Sequence, residues 1–365
     1  MNRTSRAHLT VEAQTHAGMT GKNNEDRYAV GSFVLSPREP TPVLFAILAD
    51  GIGGHKGGEV AAELAVNHIM EVVGKSDGHH TRQTIEDAIA NASNAIAARS
   101  SSDENLKGMG STCATAWVIG DTLHTAYVGD SRIYLIRGGR IQQLTVDHTW
   151  VQEAIERKVL APEDAREHPN VHVIRRYLGS PVPPEPDFRM KLFNDESDEH
   201  AVNNQGMQLK PDDVVLLCSD GLTDLVWNDE ILEVVRSKPS VKEAASALIE
   251  LANSRGGHDN ITVVLIAVPI NFKLKEVKKT NWMPWIIGGA VGLMLLVVAV
   301  SILAVSLMRR APVVVSTSTS PPAQATWTSS PQPSPTFTLT FTPESNNPAI
   351  IPPTLTPWPT NTVTP

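Results

Sequence analysis

Residues 44–58 read LFAILADGIGGHKGG, an apolar run that ends at Asp50 and continues into a turn with five glycines in eight residues. The apolar run predicts a buried β-strand, and residues 59–73 predict a helix after the turn. Glycines let the backbone approach a ligand closely, and the carbonyl of Gly51 can bind a metal ion. The spacing does not match the GxxxxGK[ST] phosphate-binding loop, so a nucleotide-triphosphate site is not indicated.

Three further aspartates stand at the edges of apolar, β-rich runs. Asp130 follows TLHTAYVG, Asp220 follows VVLLCS, and Asp259 precedes NITVVLIAV. One such aspartate is often only a turn or cap residue, and four that are far apart in sequence can converge only if their strands share a sheet. Converging carboxylates repel one another, and a hard divalent cation with oxygen ligands relieves that repulsion. The pattern therefore predicts a metal-dependent hydrolase.

Composition argues against nucleic acid as a partner. The 365-residue chain has a formal charge of −8 and only 5% aromatic residues. A net acidic chain binds phosphate backbones poorly, and few aromatic rings are present for base stacking. The N-terminus has no apolar core of a signal peptide, and Cys113 and Cys218 lie in predicted strands, which is typical of buried thiols in a reducing compartment.

The chain divides into four segments by composition. Residues 1–268 form the predicted catalytic domain, and residues 269–285 are a basic juxtamembrane linker. Residues 286–308 carry no charge, and a helix of that length measures about 34 Å, enough for a ~30 Å hydrocarbon core. We therefore expect a transmembrane helix in contact with lipid over 286–308, followed by a disordered Thr/Ser/Pro-rich tail over 309–365.

The positive charges around this run predict its orientation in the plasma membrane. Four lysines precede the run, and only Arg309 and Arg310 follow it. The excess on the N-terminal side predicts a cytoplasmic catalytic domain and a tail outside the cell.

Strands and helices alternate in groups along residues 1–268, which predicts an α+β fold of packed layers. Residues 194–204 are polar and acidic and predict a surface loop. The predicted strands cover 29–35, 43–49, 112–119, 122–128, 133–136, 214–219 and 261–268, and the predicted helices cover 59–73, 84–99, 149–158 and 241–254.

Six short motifs occur in a characteristic order. They are NNED at 23–26, DGIGGH at 50–55, GMGST at 108–112, GDSR at 129–132, SDGLTD at 219–224 and HDNITVV at 258–264. Together they resemble the metal-dependent Ser/Thr protein phosphatases of type 2C, the PPM family, in a bacterial membrane-anchored form. Residues 147–179 also resemble the flap of that family. The resemblance implies a four-layer α-β-β-α sandwich, with a central antiparallel β-sandwich flanked by helices.

The resemblance also implies roles for individual residues. Asp50 would bridge two Mn²⁺ or Mg²⁺ ions, the Gly51 carbonyl would bind one, and Asp220 and Asp259 would bind the other. Asp130 would complete a third site with Asp220. Glu25 and Asp26 would hold water next to the ions, and Asn260 would support the cleft around Asp259. The implied substrates are phosphoserine and phosphothreonine in proteins, with membrane Ser/Thr kinases as the enzymes opposed.

Two positions depart from the family pattern. Many members carry an arginine that clamps the substrate phosphate where this chain has Gly21, and Lys22 beside it is a candidate point-charge substitute. The histidine of the animal-type motif is replaced by Ile52, and His55 lies three residues further on.

Two other functions stay open at this point. The missing arginine is compatible with a binding or sensor module that has lost turnover. An Asp-nucleophile phosphohydrolase would need a DxD-type pair at one strand end, which GIG after Asp50 does not supply.

Overall fold

The computed structural model describes residues 1–53, 57–272 and 283–308, with side chains for 1–53, 57–272 and 292–306. The chain forms two units, Met1–Thr280 and Asn281–Pro365. The first unit holds two antiparallel sheets and carries all the predicted site residues.

The first sheet has six strands in the order β1-β3-β4-β7-β8-β11. Its strands are β1 (Asn2–Arg3), β3 (Arg27–Val34), β4 (Pro42–Ala49), β7 (Cys113–Ile119), β8 (Thr122–Val128) and β11 (Met207–Gln208). The second sheet has five strands in the order β10-β9-β12-β13-β2. These are β10 (Arg140–Gln143), β9 (Arg132–Arg137), β12 (Val214–Cys218), β13 (Ile261–Ala267) and β2 (Thr10–His16). A short ladder joins β5 (Gly51–Ile52) to β6 (Gly110–Ser111).

The two sheets pack face to face because alternate side chains of each strand point into a shared apolar layer. Leu44, Ala46 and Leu48 of β4 meet residues such as Leu217 and Val264 of the second sheet in this layer. The other face of β4 carries Phe45 and Ile47, which pack against helices. β4 is therefore buried on both faces, as its continuous apolar run predicted.

Helices cover the outer face of each sheet. α1 (Gly57–Lys75) and α2 (Thr81–Ser102) pack on the first sheet. α5 (Asp220–Thr223), α6 (Asn228–Ser237) and α7 (Val241–Ser254) contribute to the cluster on the second. Two short helices, α3 (Trp150–Glu156) and α4 (Asp198–Asn203), lie in the connecting segments. The layers agree with the predicted α-β-β-α sandwich.

Some local predictions were wrong. Residues 194–204 are not simply a loop, since Ser197 Oγ accepts a hydrogen bond from His200 N and starts α4. β2 was missed because its sequence TVEAQTH lacks an apolar run, yet it pairs along its whole length with β13 at the sheet edge. Cys113 and Cys218 are buried and free, in agreement with the prediction.

The second unit contains α8 (Met283–Met308), which covers the predicted apolar run 286–308. None of the helices built from the described residues combines the length and apolar character needed to cross a membrane, so the structure does not support the predicted transmembrane helix. Residues 273–282 of the predicted linker and the whole predicted tail, 309–365, lie outside the described residues.

Candidate metal centre

Asp50 directly follows β4, the strand that is buried on both faces. Ser111 and Thr112, which precede β7, form hydrogen bonds to its backbone N–H and carbonyl groups. Asp50 N donates to Thr112 Oγ1 at 2.9 Å, and Thr112 N donates to Asp50 O at 2.8 Å. Ser111 Oγ also donates to Asp50 O at 3.0 Å. These three bonds attach the start of the glycine-rich turn to the GMGST motif, so the direction of the Asp50 side chain is set by the sheet.

Position 51 requires glycine because neighbouring backbone atoms lie too close for a Cβ atom. A Cβ atom at Gly51 would lie 2.1 Å from Gly58 O and 2.8 Å from Glu25 O, and neither is a contact that real Cβ atoms make. A Cβ at Gly58 would lie 2.6 Å from Glu25 Oε2. The start of α1, the Asp50 turn and the NNED loop therefore meet at one point, which only glycine permits.

Asp220 and Asp259 come together because β12 and β13 are antiparallel neighbours. Cys218, the last residue of β12, pairs with Val263, so the chain end carrying Asp220 lies beside the chain start carrying Asp259. A Cβ at Gly221 would lie 2.1 Å from Asn260 O, which shows how close the two backbones are.

Asn260 connects this pair to the NNED loop. Its Oδ1 accepts a hydrogen bond from Glu25 N at 2.6 Å, and its Nδ2 donates to Asn23 O at 3.0 Å. Asn260 N donates to Asp259 Oδ1 at 2.9 Å. Asn260 thus positions both the second-sheet carboxylate and the loop from the first sheet.

Asp26 is a buried carboxylate with only part of its hydrogen-bonding capacity used. Its residue is 1% exposed, and its Oδ2 accepts a hydrogen bond from Ser219 Oγ at 2.8 Å. Its Oδ1 has no hydrogen-bond partner among the described residues. Burial raises the pKa of Asp26 to about 6, although the hydrogen bond from the Ser219 hydroxyl favours the charged form.

Mutual repulsion shows that the predicted carboxylates converge. Burial, followed by the charges of Asp26 and Asp220, raises the pKa of Asp50 well above its ordinary value. Burial and the charges of Asp130 and Asp224 do the same to the pKa of Asp220. The pKa of Asp130 rises to about 7 through burial and the charge of Asp147. Glu25 follows the same pattern, because burial and the charges of Asp259 and Glu59 raise its pKa.

This donor set fits hard divalent cations. The converging groups offer only oxygen, which suits Mg²⁺ or Mn²⁺ better than Zn²⁺. The partnerless Oδ1 of Asp26 is buried among these carboxylates and needs a donor that the described residues do not supply. Positive charge at this place would offset both the repulsion and the missing partner.

The tightest group of ligand atoms was not predicted. Atoms of His172, Asp220 and Asp224 lie within 4.8 Å of one another, and no other described set of three His, Cys, Asp or Glu residues is as close. Asp224 could have been found from SDGLTD, since its four-residue spacing from Asp220 brings two carboxylates onto one helical turn.

Lys22 lies at the exposed rim of the site. Its Nζ is 3.6 Å from Asp259 Oδ2, with 58% of the Lys22 side chain and 52% of the Asp259 side chain exposed. The structure thus places the candidate phosphate-binding charge beside a candidate metal ligand. His55 lies outside the described residues. His148 is buried, its Nδ1 accepts a hydrogen bond from Gly129 N at 3.0 Å, and its Nε2 lies 3.1 Å from Asp187 Oδ2.

A cavity of about 470 Å³ adjoins the carboxylates. Its wall is formed by Asp130, Asp220 and Asp224 together with residues of the segment 147–179. In that segment Arg166 lies 3.6 Å above the ring of Trp227 and donates to Thr223 O at 3.0 Å. The cavity is large enough for a phosphorylated side chain and its neighbours.

A two-sheet sandwich with oxygen ligands at one end defines a class of metal-dependent phosphatases. The family model of protein phosphatase 2C matches residues 14–256, and the chain belongs to this family. The predictions of a phosphatase-type enzyme and of this family are confirmed.

Similar proteins are named serine/threonine phosphatases. The chain is 35% identical over 261 residues, 71% of its length, to the serine/threonine protein phosphatase PstP of Mycobacterium tuberculosis. The match covers 45% of that relative, so the chain matches less than half of its length. A solved structure of the Streptococcus agalactiae serine/threonine phosphatase is 32% identical with a TM-score of 0.62, covering 71% of this chain and 99% of that one.

One solved structure of a similar protein contains metal. The catalytic domain of PstP in complex with two manganese ions is 33% identical with a TM-score of 0.58, covering 72% of this chain and 98% of that one. At least one protein of this family therefore binds two manganese ions.

Proposed function

We propose that this protein hydrolyses phosphoserine and phosphothreonine in proteins, with water activated by two divalent cations. The observation that carries the proposal is the convergence of Asp26, Asp50 and Asp220. The charges of Asp26 and Asp220 raise the pKa of Asp50, and the charge of Asp26 raises that of Asp220, which also lines the 470 Å³ cavity. Such a charge arrangement is unfavourable without cations and useful with them.

The roles follow from position. Asp50, the Gly51 carbonyl, Asp220 and Asp259 would hold two Mn²⁺ or Mg²⁺ ions, and Asp130 with Asp220 would hold a third. When bound, the ions supply a water of lowered pKa and positive charge for the phosphoryl oxygens.

The remaining residues act on water and substrate. Asn260 fixes the backbone of Glu25, and Ser219 fixes the carboxylate of Asp26. The carboxylate oxygens of Glu25 and Asp26 orient water by accepting hydrogen bonds from it. Lys22 at the rim offers one positive charge to the substrate phosphate, without the two-pronged geometry of an arginine. The segment 147–179 forms a wall that limits which peptide can enter.

The test is hydrolysis of p-nitrophenyl phosphate and of a phosphothreonine peptide by the full chain. We expect turnover with Mn²⁺, loss of turnover in excess chelator, and a fall by orders of magnitude in Asp220→Asn and Asp259→Asn. Circular dichroism of both variants should stay that of the folded domain. Turnover of either substrate that persists in excess chelator would exclude the mechanism.

A binding module without turnover is the second candidate, favoured only by Gly21 in place of an arginine. It predicts that a phosphothreonine peptide binds at saturating Mn²⁺ but is not hydrolysed. An Asp-nucleophile enzyme would instead give a trapped aspartyl-phosphate, for which mass spectrometry after acid quench is the check.

We further propose attachment to the plasma membrane with the catalytic unit in the cytoplasm, where it would oppose membrane Ser/Thr kinases. The support comes from sequence alone: the uncharged run 286–308 and the lysines before it. The described residues contain no helix able to cross a membrane. Carbonate extraction of cell membranes tests this proposal, and release of the chain into the soluble fraction would refute it.

A further inference from the structure

His172 lies in the wall segment 147–179, and its ring approaches two of the carboxylates that line the cavity. Its Nδ1 is 3.9 Å from Asp220 Oδ2 and 3.7 Å from Asp224 Oδ2. Among the hydrogen bonds of the described residues, none involves the His172 ring. The imidazole is therefore directed at two carboxylates without bonding to either.

These distances suit a shared cation. They are longer than the 2.7–3.2 Å of an N–H···O hydrogen bond. Two ligands that each lie about 2.1 Å from one ion are separated by at most ~4.2 Å, and both measured separations are below this limit. The three ligand atoms could close around an ion with small side-chain rotations.

The carboxylates are presented as a rigid pair. Asp220 is the first residue of α5 and Asp224 is its C-cap, with Asp224 N donating to Asp220 O at 2.8 Å. Arg166 donates to the backbone oxygens of Thr223 and Asp224, and it forms no ion pair with the Asp224 carboxylate. Both carboxylates thus keep oxygens available to an ion.

We propose that His172 is a nitrogen ligand of a cation held with Asp220 and Asp224, so that the bound ion ties the segment 147–179 to the metal centre. The inference rests on the proposed function, because Asp220 belongs to both sites. Mg²⁺ is bound through oxygen ligands and retained waters, so an imidazole ligand would make this site favour Mn²⁺ where the all-oxygen sites accept either ion.

The consequence concerns the cavity wall. His172 is 64% exposed in its side chain, so the segment contacts the carboxylates here through a solvent-facing group. Ion binding would replace this loose approach by a coordinate bond and would order the wall against which a peptide substrate lies.

Pulsed electron paramagnetic resonance on the untagged full chain with Mn²⁺ tests the assignment. A directly bound imidazole gives a ¹⁴N coupling to Mn²⁺, whereas the predicted ligands of the other ions are all oxygen. We expect the coupling in the wild type, its loss in His172→Ala, and its retention in His168→Ala, a histidine of the same segment that stacks on Trp150.

A second measurement separates this inference from the proposed function. In wild type, Mn²⁺ but not Mg²⁺ should slow proteolytic cleavage within 147–179, and His172→Ala should remove the difference. Mn²⁺-dependent phosphatase activity with no ¹⁴N coupling would overturn the ligand and leave the phosphatase standing. A ¹⁴N coupling without any hydrolysis would support His172 as a ligand and overturn the proposed phosphatase function.

Discussion

The Ser219 hydroxyl donates a hydrogen bond to Asp26 Oδ2 at 2.8 Å, although 193 residues separate the two in sequence. Ser219 Oγ also accepts a hydrogen bond from Thr262 N at 3.0 Å. One hydroxyl therefore connects a loop leading into the first sheet to two strands of the second sheet. It also provides the hydrogen bond that keeps the buried Asp26 carboxylate in place beside Asp50.

Replacing Ser219 by alanine removes this connection and leaves a buried carboxylate oxygen and a buried N–H without partners. We expect the free energy of unfolding of Ser219→Ala to fall by about 1–3 kcal/mol. Urea denaturation measures the change. Ser254→Ala is the control, because the Ser254 hydroxyl bonds only to Leu251 O on an exposed helix end, and its effect should stay within ~0.5 kcal/mol.

Asp26 should make the chelator-treated protein less stable as the pH rises. Its folded-state pKa of about 6 lies above its ordinary value of 3.8, so the folded state holds a proton that the unfolded state releases. This contribution is fully present below pH 3.8 and is lost as the pH rises through about 6. Asp26→Asn should therefore gain stability over wild type as the pH rises across this window, by ~1.4 kcal/mol for each unit of pKa displacement.

The stability of Asp26→Asn must be compared with that of wild type at each pH. Burial lowers the pKa of His8, His124 and His148, which destabilises the folded state as the pH falls and opposes the effect of Asp26. These histidines are common to wild type and variant, so their contribution cancels. Parallel stability curves for the two proteins between pH 4 and 7.5 would contradict the assignment.

The pair Arg137–Asp213 should be a large contributor to stability away from the site. Arg137 Nη2 lies 2.6 Å from Asp213 Oδ2, and the Asp213 side chain is 2% exposed. Asp213→Ala leaves the guanidinium without its buried partner, and we expect a loss of about 3–5 kcal/mol in calorimetry or denaturation.

An exposed pair supplies the matched control. Arg82 Nε lies 2.9 Å from Glu86 Oε1 on the surface of α2. Glu86→Ala should cost no more than ~1 kcal/mol, because water screens exposed pairs. Equal losses of stability in Asp213→Ala and Glu86→Ala would show that burial of Asp213 does not strengthen its ion pair.

Lys22 should act on substrate binding more than on turnover. Since its ammonium is a single exposed charge next to Asp259, we expect Lys22→Ala to raise KM for a phosphothreonine peptide by ~2–10-fold. Lys22→Arg should retain wild-type KM or improve it. Lys75→Ala, an exposed lysine at the end of α1, should leave KM unchanged, and an unchanged KM in Lys22→Ala would remove Lys22 from the site.

Gly51→Ala should damage the metal centre without unfolding the domain. The added methyl group would meet Gly58 O at 2.1 Å, so the turn after Asp50 must move away from α1. We expect weaker Mn²⁺ binding in calorimetric titration and lower activity. Gly74→Ala is the matched control, because its nearest neighbour outside the helix backbone is Phe33 at 3.5 Å, and its Mn²⁺ affinity should equal that of wild type.

Local patterns predicted the elements that carry the site. β4 and β13 were found from apolar runs, and each lies within two residues of a predicted aspartate. The expectation that the aspartates need a shared sheet was wrong, because β4 belongs to the first sheet and β13 to the second. The glycines after Asp50 predicted a close approach of the backbone to a ligand, whereas the contacts found at Gly51 are with the backbone of Gly58 and Glu25. The polar edge strand β2 carries no such pattern, because its strand conformation depends on pairing with β13.

The amino-acid sequence by itself determined where strands end and which carboxylates stand at those ends, because burial of alternate side chains and the backbone freedom of glycine are local properties. Only the tertiary structure decided which of those groups meet. The bond between Ser219 and Asp26, and the approach of His172 to Asp220 and Asp224, join distant segments. Such contacts arise from the packing of whole sheets and connecting segments, which no short stretch of sequence specifies.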